Sequence, residues 1–234
     1  MVKELDVKVS EVIERTAHVK SFRFLVTGEH DFKAGQWMLV NLNSDPELKR
    51  SLSISSSPTE PGYIEFTKKI TQSDFSQKLS MLRTGDSISV KFPFGKFIYE
   101  DGFPKIVFLS GGIGITPVRS ICQSIVDRKL SADVVLLYGN NSEADIAFRD
   151  DFDRMQVKYP NLRVVHILMC ANANWTGRRG LIDAKVVKEE IPDYLERRFY
   201  TCGPPAMVQA MEAILLQELK VKKGSLIKES FSGY

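Results

Sequence analysis

The sequence predicts a two-domain β + α/β protein, an antiparallel β-barrel followed by a parallel α/β domain. Three observations carry this. The first hundred residues hold six short strand-like runs separated by Gly, Pro and Ser turn signals. After Phe103-Pro104, apolar strands alternate with helical stretches, the grammar of crossover units and of a parallel sheet covered on both faces. The length of 234 residues is enough for two separate cores.

In the first half, Leu5, Val7 and Val9 alternate with charged residues, and Val19, Phe22, Phe24 and Val26 form a second run. Gln36 to Leu42, Ser51 to Ser55, Tyr63 to Ile70 and Ser87 to Phe92 complete the six. The turns fall at Thr27-Gly28, Ala34-Gly35, Ser57-Pro58, Pro61-Gly62 and Gly85-Asp86. Strands this short and this often punctuated suit a small closed sheet. One helix interrupts them from about Asp74 to Arg83, with Phe75, Leu79 and Leu82 at helical spacing and Ser73 or Asp74 as its cap.

The domain boundary is expected near Asp101 to Pro104. Beyond it, Ile106 to Leu109 runs into Gly111-Gly112 and a helix from Pro117 to about Lys129. Val134 to Tyr138 leads to a helix from Asp145 to about Lys158, and Leu162 to Met169 to a short helix near Asp183 to Glu190. Phe199 to Cys202 leads to a helix from Pro204 to Leu219, and Leu226 to Phe231 is the last strand.

Composition narrows the function classes. Apolar residues at 43% and charged residues at 26% are those of a globular chain. The net charge, 32 − 29 = +3, excludes a polybasic nucleic-acid tail but leaves room for a local basic pocket for a phosphorylated ligand. Cys122, Cys170 and Cys202 make no disulfide framework and no Cys-x-x-Cys metal site, and are fewer than the usual four of an iron–sulfur cluster. A built-in iron–sulfur domain is therefore not expected. His18, His30 and His166 are scattered and suggest neither a metal site nor a triad. No apolar run approaches the roughly 20 residues of a membrane span. The start alternates charged with apolar residues and does not read as a signal peptide, so a cytoplasmic location is expected.

Three segments carry chemistry. Ser110-Gly111-Gly112-Ile113-Gly114-Ile115-Thr116-Pro117 lies between a strand and a helix. Its glycines let backbone approach a diphosphate, Thr116 can cap the helix, and Pro117 suits its first position. The same segment also fits a tight turn with no ligand. It is not the G-x-G-x-x-G fingerprint, because Pro117 stands at the third glycine, and Tyr138-Gly139-Asn140-Asn141 supplies no acidic ribose clamp. Thr201-Cys202-Gly203-Pro204-Pro205-Ala206-Met207 again ends a strand and opens a helix, which favours a thiolate at Cys202; a small buried cysteine fits the segment as well. Arg50-Ser51-Leu52-Ser53-Ile54-Ser55-Ser56-Ser57 is dense in hydroxyls behind an arginine, fitting either a diphosphate and a polar ring or a solvated edge strand.

Taken together, these segments resemble the ferredoxin–NADP reductase family of flavoenzymes, over nearly the whole chain and in the family's motif order. The R-x-Y-S flavin motif is matched by Arg50, Leu52 and Ser53, and the G-x-x-S-like segment loosely by Ser73 and Ser76. The G-P-F-G turn is matched by Phe92-Pro93-Phe94-Gly95, G-G-x-G-x-T-P by residues 111–117, C-G-P-x-x-M by Cys202 to Met207, and E-x-aromatic by Glu229-Ser230-Phe231. The resemblance implies a six-stranded Greek-key FAD-binding barrel over residues 1–101 and a Rossmann-like NAD(P)-binding domain over 102–234. It implies hydride transfer from NADPH or NADH to FAD, then electron transfer to a separate acceptor such as ferredoxin, flavodoxin or another redox protein.

The same resemblance assigns residues. Arg50 would hold the FAD diphosphate with help from Ser76; Ser51, Leu52, Thr67 and Lys68 join the flavin site, and Ser53 would bond flavin N5. Gly112, Gly114, Thr116 and Pro117 would hold the dinucleotide diphosphate, with Gly203 and Met207 lining that site. Cys202 would lie at the nicotinamide and Glu229 beside it, so Ser53, Cys202 and Glu229 form the catalytic set. Phe231 would cover the flavin, with Tyr234 its competitor. Arg178, with Arg179, is the candidate cation for a 2′-phosphate, or else part of a solvated loop. Three positions depart from the family pattern: Leu52 for tyrosine, Ser73 for glycine, and the continuation Ser232-Gly233-Tyr234. Other readings are an NAD(P)H:flavin reductase using free flavin, an electron-transfer subunit of a larger complex, or a nucleotide-sensing module. A monomer, with no nucleic-acid partner, is expected.

Overall fold

The computed structural model describes residues 2–26, 32–42 and 45–231. The Thr27-Gly28 turn signal, His30, and the Ser232-Gly233-Tyr234 continuation lie outside the described residues. By contact the chain divides into two compact units, one gathering the chain up to Tyr99 with Thr116–Arg128, the other Glu100–Ile115 with the residues from Lys129 onward.

The first unit is a six-stranded antiparallel sheet built from β1 (Lys3–Thr16), β2 (Val19–Leu25), β3 (Trp37–Leu42), β4 (Lys49–Ser53), β5 (Tyr63–Lys69) and β6 (Ser87–Phe94). The strand order is β4-β3-β6-β1-β2-β5. Strands β3 and β6 alternate strictly, so Met38, Val40 and Leu42 face Ile88, Val90 and Phe92 in one core, with Phe22, Phe24 and Phe66. Fully burying each such side chain contributes about 1.5–3 kcal/mol. The sheet curls until its two edges meet: Ile54, just past β4, bridges Phe66 of β5, and Ser55 N donates to Glu65 O at 2.8 Å. Helix α1 (Asp74–Ser80) follows β5. It is capped by Ser73, whose Oγ accepts from Ser76 N at 3.3 Å, and it stops a turn earlier than the spacing predicts.

The second unit holds an all-parallel sheet of β7 (Lys105–Gly111), β8 (Asp133–Asn140), β9 (Leu162–Leu168), β10 (Arg178–Arg179), β11 (Arg198–Gly203) and β12 (Leu226–Ser230). Strands β7, β8 and β11 are buried almost without interruption rather than alternately, as expected of a sheet covered on both faces. The order β10-β9-β8-β7-β11-β12 reverses direction between β7 and β11. In open parallel sheets, ligands bind at such a reversal, at the carboxyl ends of the strands.

Helix α2 (Ile115–Asp127) starts two residues before the expected Pro117, because Gly112–Gly114 winds as a 3₁₀ turn that feeds it. Thr116 is thus inside the first turn and is not the cap. Residues Thr116–Arg128 belong with the first unit, where Ser120 Oγ donates to Ser56 O and Thr59 Oγ1 to Asp127 Oδ2, each at 2.6 Å. Helix α3 (Arg149–Lys158) starts later than expected; the Ser142–Asp145 capping box instead closes a separate 3₁₀ turn, Glu143–Asp145. Helices α4 (Ala184–Glu190) and α5 (Pro205–Ala213) pack Val187 and Met211 onto one face of the sheet, and Ile214–Glu218 extends α5 at π-helical spacing. The two-residue β10 is the one strand the sequence reading lacks.

Candidate functional site

Alternation along β4 separates the residues the sequence reading grouped. Leu52 is buried in the barrel core, Ser51 is exposed, and Ser53 is buried with no hydrogen-bond partner for its Oγ among the described residues. Arg50 lies with its guanidinium 5.6 Å from the Phe75 ring and donates to the carbonyls of Glu47 and Lys49. Lys68, on β5, is 4% exposed, and its Nζ donates to Lys69 O at 2.7 Å. Burial, then the positive charges of Arg50 and Lys69, pushes its ammonium down to about 8. A buried ammonium with half-buried Arg50 beside it suits an anion such as a diphosphate. Ser76 is fully buried, its Oγ 3.1 Å from Thr71 Oγ1.

Thr67 is engaged differently. Its hydroxyl lies 2.7 Å from both Ser21 Oγ and Ser55 Oγ. Glu65, 1% exposed, anchors this network, accepting from Arg15 and Arg23 at 2.8 and 2.9 Å and from Ser55 Oγ at 2.9 Å. Arg119 on α2 donates to Ser55 O at 3.1 Å and grips both oxygens of Glu60. Burial works against the Glu60 charge, but the hydrogen bonds and charge of Arg119 outweigh it and hold the carboxyl below its usual range. Glu60, Glu65 and Arg119 thus fix the segment that follows Ser53, and the sequence reading missed all three. The available signal was a charge among the apolar positions of α2, where Ile115, Val118, Ile121 and Cys122 are buried around Arg119.

In the second unit, the loops after β7 and β11 touch. A Cβ on Gly114 would fall 2.4 Å from Cys202 O and 2.6 Å from Gly203 Cα, so only glycine permits this approach. Gly112 has φ +51° with open space about it, leaving its backbone available to a bulky anion. Met207 Sδ packs against Gly111 and Gly203. Pro117 lies in the first turn of α2, where its missing N–H costs nothing.

Cys202 is fully buried, and its Sγ donates to Gly114 O at 2.8 Å, the contact of a protonated thiol rather than a thiolate. It sits in β11, before α5 begins at Pro205, and not on a helix terminus. Register places Cys202 opposite Ser110 on β7 and opposite Glu229 on β12, with Tyr138 beyond Ser110. One transverse row, Tyr138–Ser110–Cys202–Glu229, therefore crosses the point of reversal. Ser110 Oγ and Glu229 Oε2 are both buried without a hydrogen-bond partner among the described residues. Burial pushes the Glu229 carboxyl up to about 7. Phe231 continues the β12 line, its N donating to Gly203 O at 3.0 Å.

Arg178 is bound by Glu189 and by Glu190, the latter at 2.6 Å, on α4. No group of three or more His, Cys, Asp or Glu able to hold a metal occurs among the described residues, and no helix among them is long and apolar enough to cross a membrane.

Two family descriptions match the chain: "Oxidoreductase FAD-binding domain" over residues 6–99 and "Oxidoreductase NAD-binding domain" over residues 108–213. The chain is 33% identical over 220 residues to the glycine betaine monooxygenase reductase subunit of Pseudomonas aeruginosa, which covers 89% of this chain and 59% of that protein. The chain thus spans about three-fifths of that relative's length, 59%. It is 30% identical over 209 residues to a plasma membrane-associated coenzyme Q6 reductase of Saccharomyces cerevisiae, covering 87% of this chain and 67% of that one. A solved ferredoxin NADP+ reductase from Neisseria gonorrhoeae with bound FAD and NADP shares the fold, at a TM-score of 0.81 and 21% identity, over 97% of this chain and 98% of that chain.

Proposed function

This chain belongs to the ferredoxin–NADP reductase family, and from that premise we propose that it is an FAD-dependent NAD(P)H reductase serving a separate electron acceptor. When bound, flavin and nicotinamide supply the redox chemistry, exchanging a hydride before electrons leave for the acceptor. The remaining work belongs to the chain. Arg50 and Lys68 hold the flavin diphosphate, and Ser53 offers its unpartnered hydroxyl to the polar edge of the ring. The Ser53 Oγ without a partner among the described residues, and buried Lys68 beside half-buried Arg50, both fit this group. Gly112 and Gly114 admit the dinucleotide diphosphate to bare backbone at the start of α2.

The observation that carries the reading is the row Ser110–Cys202–Glu229 at the sheet reversal, with two buried oxygens lacking hydrogen-bond partners among the described residues. Buried polar groups left unpaired at the carboxyl ends of parallel strands are explained most simply by a ligand that pairs them. Cys202 would be the residue beside the nicotinamide, and Glu229, titrating near neutrality, would hold a proton at that end of the site. The acceptor is proposed to be another protein, in keeping with a relative named as the reductase subunit of a monooxygenase.

The test is the visible spectrum of the purified chain. Flavin bands near roughly 380 and 450 nm that survive gel filtration, and that bleach anaerobically on adding reduced nicotinamide nucleotide, are expected. A colourless protein that turns over only with added flavin would replace this reading with that of a free-flavin reductase.

A further inference from the structure

Which nucleotide the second unit takes is written in what its rim arginines already bind. The inference rests on the dinucleotide reading above. In doubly wound sheets the adenosine ribose lies at the carboxyl end of the strand after the glycine loop, where a side chain contacts its 2′ position. That strand is β8, ending at Asn140. Register carries the same level outward: Asn140 pairs with Leu168 of β9, and Leu168 with Arg179 of β10. Adjacent strands are about 4.8 Å apart, so Arg178 and Arg179 stand two strands from the ribose position, within reach of a long side chain.

A 2′-phosphate is recognised by cations whose N–H groups are free to turn towards it. Three arginines follow β8 and β9 on this rim, and each is spent. Arg178 is held by Glu189 and Glu190. Arg179 donates to the carbonyls of Ala171, Asn172 and Trp175, at 3.0, 2.7 and 3.0 Å. Arg149 is paired with Glu143. The segment after Asn140 also carries acid, with Asp145 accepting from Ser142 N and Oγ at 3.0 and 2.6 Å. Asn140 itself is 8% exposed, and its Oδ1 is buried with no hydrogen-bond partner among the described residues. Its Nδ2 is likewise buried with no partner among the described residues. A hydroxyl, which both donates and accepts, can satisfy the two amide atoms together, whereas a phosphate brings only acceptors and leaves Oδ1 unpaired against it.

We infer that the site selects the free 2′-hydroxyl, so that NADH and not NADPH is the reductant, with Asn140 Oδ1 as the hydroxyl's acceptor and Glu189 and Glu190 as the residues that deny Arg178 to a phosphate. This reverses the role the sequence suggests for Arg178: the cation is present, but its N–H groups are taken by two α4 carboxylates, Glu190 shared with Arg163 and Glu189 with Lys185.

The experiment is calorimetric titration of the flavin-loaded chain with ADP-ribose and with its 2′-phosphorylated form, neither of which undergoes hydride transfer. ADP-ribose should bind at least about tenfold more tightly, and in Glu189→Gln/Glu190→Gln, with an unchanged thermal unfolding profile, the gap should narrow by a similar factor. Equal or tighter binding of the 2′-phosphorylated ligand by the unmodified chain overturns the inference and leaves the reductase reading standing. If neither ligand binds, the dinucleotide reading falls and takes the inference with it. An unchanged gap in the double variant removes Glu189 and Glu190 from the assignment.

Discussion

Cys202 lies directly across the β11–β12 ladder from Glu229, so the buried thiol and a carboxyl titrating near neutrality share one level of the sheet. The thiol is fixed by its bond to Gly114 O, which ties the loop after β7 to the loop after β11. Replacing Cys202 with alanine removes that tie without adding bulk. Misplacing a reacting group by about 1 Å can cost roughly a hundredfold in rate. Cys202→Ala should therefore slow flavin reduction by roughly ten- to a hundredfold while the flavin spectrum persists, as read by anaerobic stopped-flow absorbance. Reduction at the unmodified rate would remove Cys202 from the reacting centre.

Glu229 makes stability depend on pH in an unusual direction. Its carboxyl is raised to about 7 from an ordinary 4.5, with burial as the cause. Between those two values the native state holds a proton that the unfolded chain has released. Stability contributed at this site is therefore fully present at acid pH, falls as pH rises from the ordinary value, and levels off once pH passes the folded value. The loss is of order 1–3 kcal/mol. Urea unfolding at about pH 5 and about pH 8 should show the decline in the unmodified chain and a smaller one in Glu229→Gln. Parallel pH dependences in both proteins would mean that Glu229 is not the group responsible.

Flavin retention should depend on pH through Lys68. Without an anion, its ammonium titrates at about 8, because burial and the charges of Arg50 and Lys69 oppose protonation. A bound diphosphate favours the charged form, so affinity is highest below that value and weakens as pH climbs through it. Dialysis at about pH 7 and about pH 9.5 should release more flavin at the higher pH, and Lys68→Met should flatten the difference while lowering affinity at both. Arg50→Ala should weaken flavin binding roughly ten- to a hundredfold at either pH, as loss of a charge-assisted contact does. Full retention by Arg50→Ala would take Arg50 out of the site.

The parts of this architecture that the sequence made legible are those set by local pattern. The unbroken apolar run Ile106 to Leu109 before two glycines marks a covered parallel strand feeding an anion loop, and β7 is that strand. The period-2 runs in β3 and β6 mark a sheet with one dry face. What local pattern does not carry is pairing between distant residues. Arg178 reads as a free loop cation until α4 brings Glu189 and Glu190 against it. Thr116 reads as a cap until the 3₁₀ turn at Gly112–Gly114 moves the helix start to Ile115. Arg119 joins the barrel unit through Glu60 and Ser55, 59 and 64 positions away, a separation over which no sequence periodicity operates.

The Arg119–Glu60 pair gives the sharpest stability prediction because both partners are withdrawn from water. Their side chains are 6% and 17% exposed, and the guanidinium contacts both carboxylate oxygens. Removing one partner of a buried pair strands the other charge, which costs about 3–5 kcal/mol. Arg119→Met should therefore be strongly destabilising, and Glu60→Gln less so, because the neutral amide still fills the space and offers Arg119 one oxygen. Removing both charges together leaves nothing stranded, so Arg119→Met/Glu60→Gln should cost less than the two single losses combined. Urea unfolding of the four proteins closes the cycle. Additive losses would show that the pair contributes no coupling, and that Ser55 and Ser56 are held against α2 by the Ser120 and Arg119 contacts to their carbonyls alone.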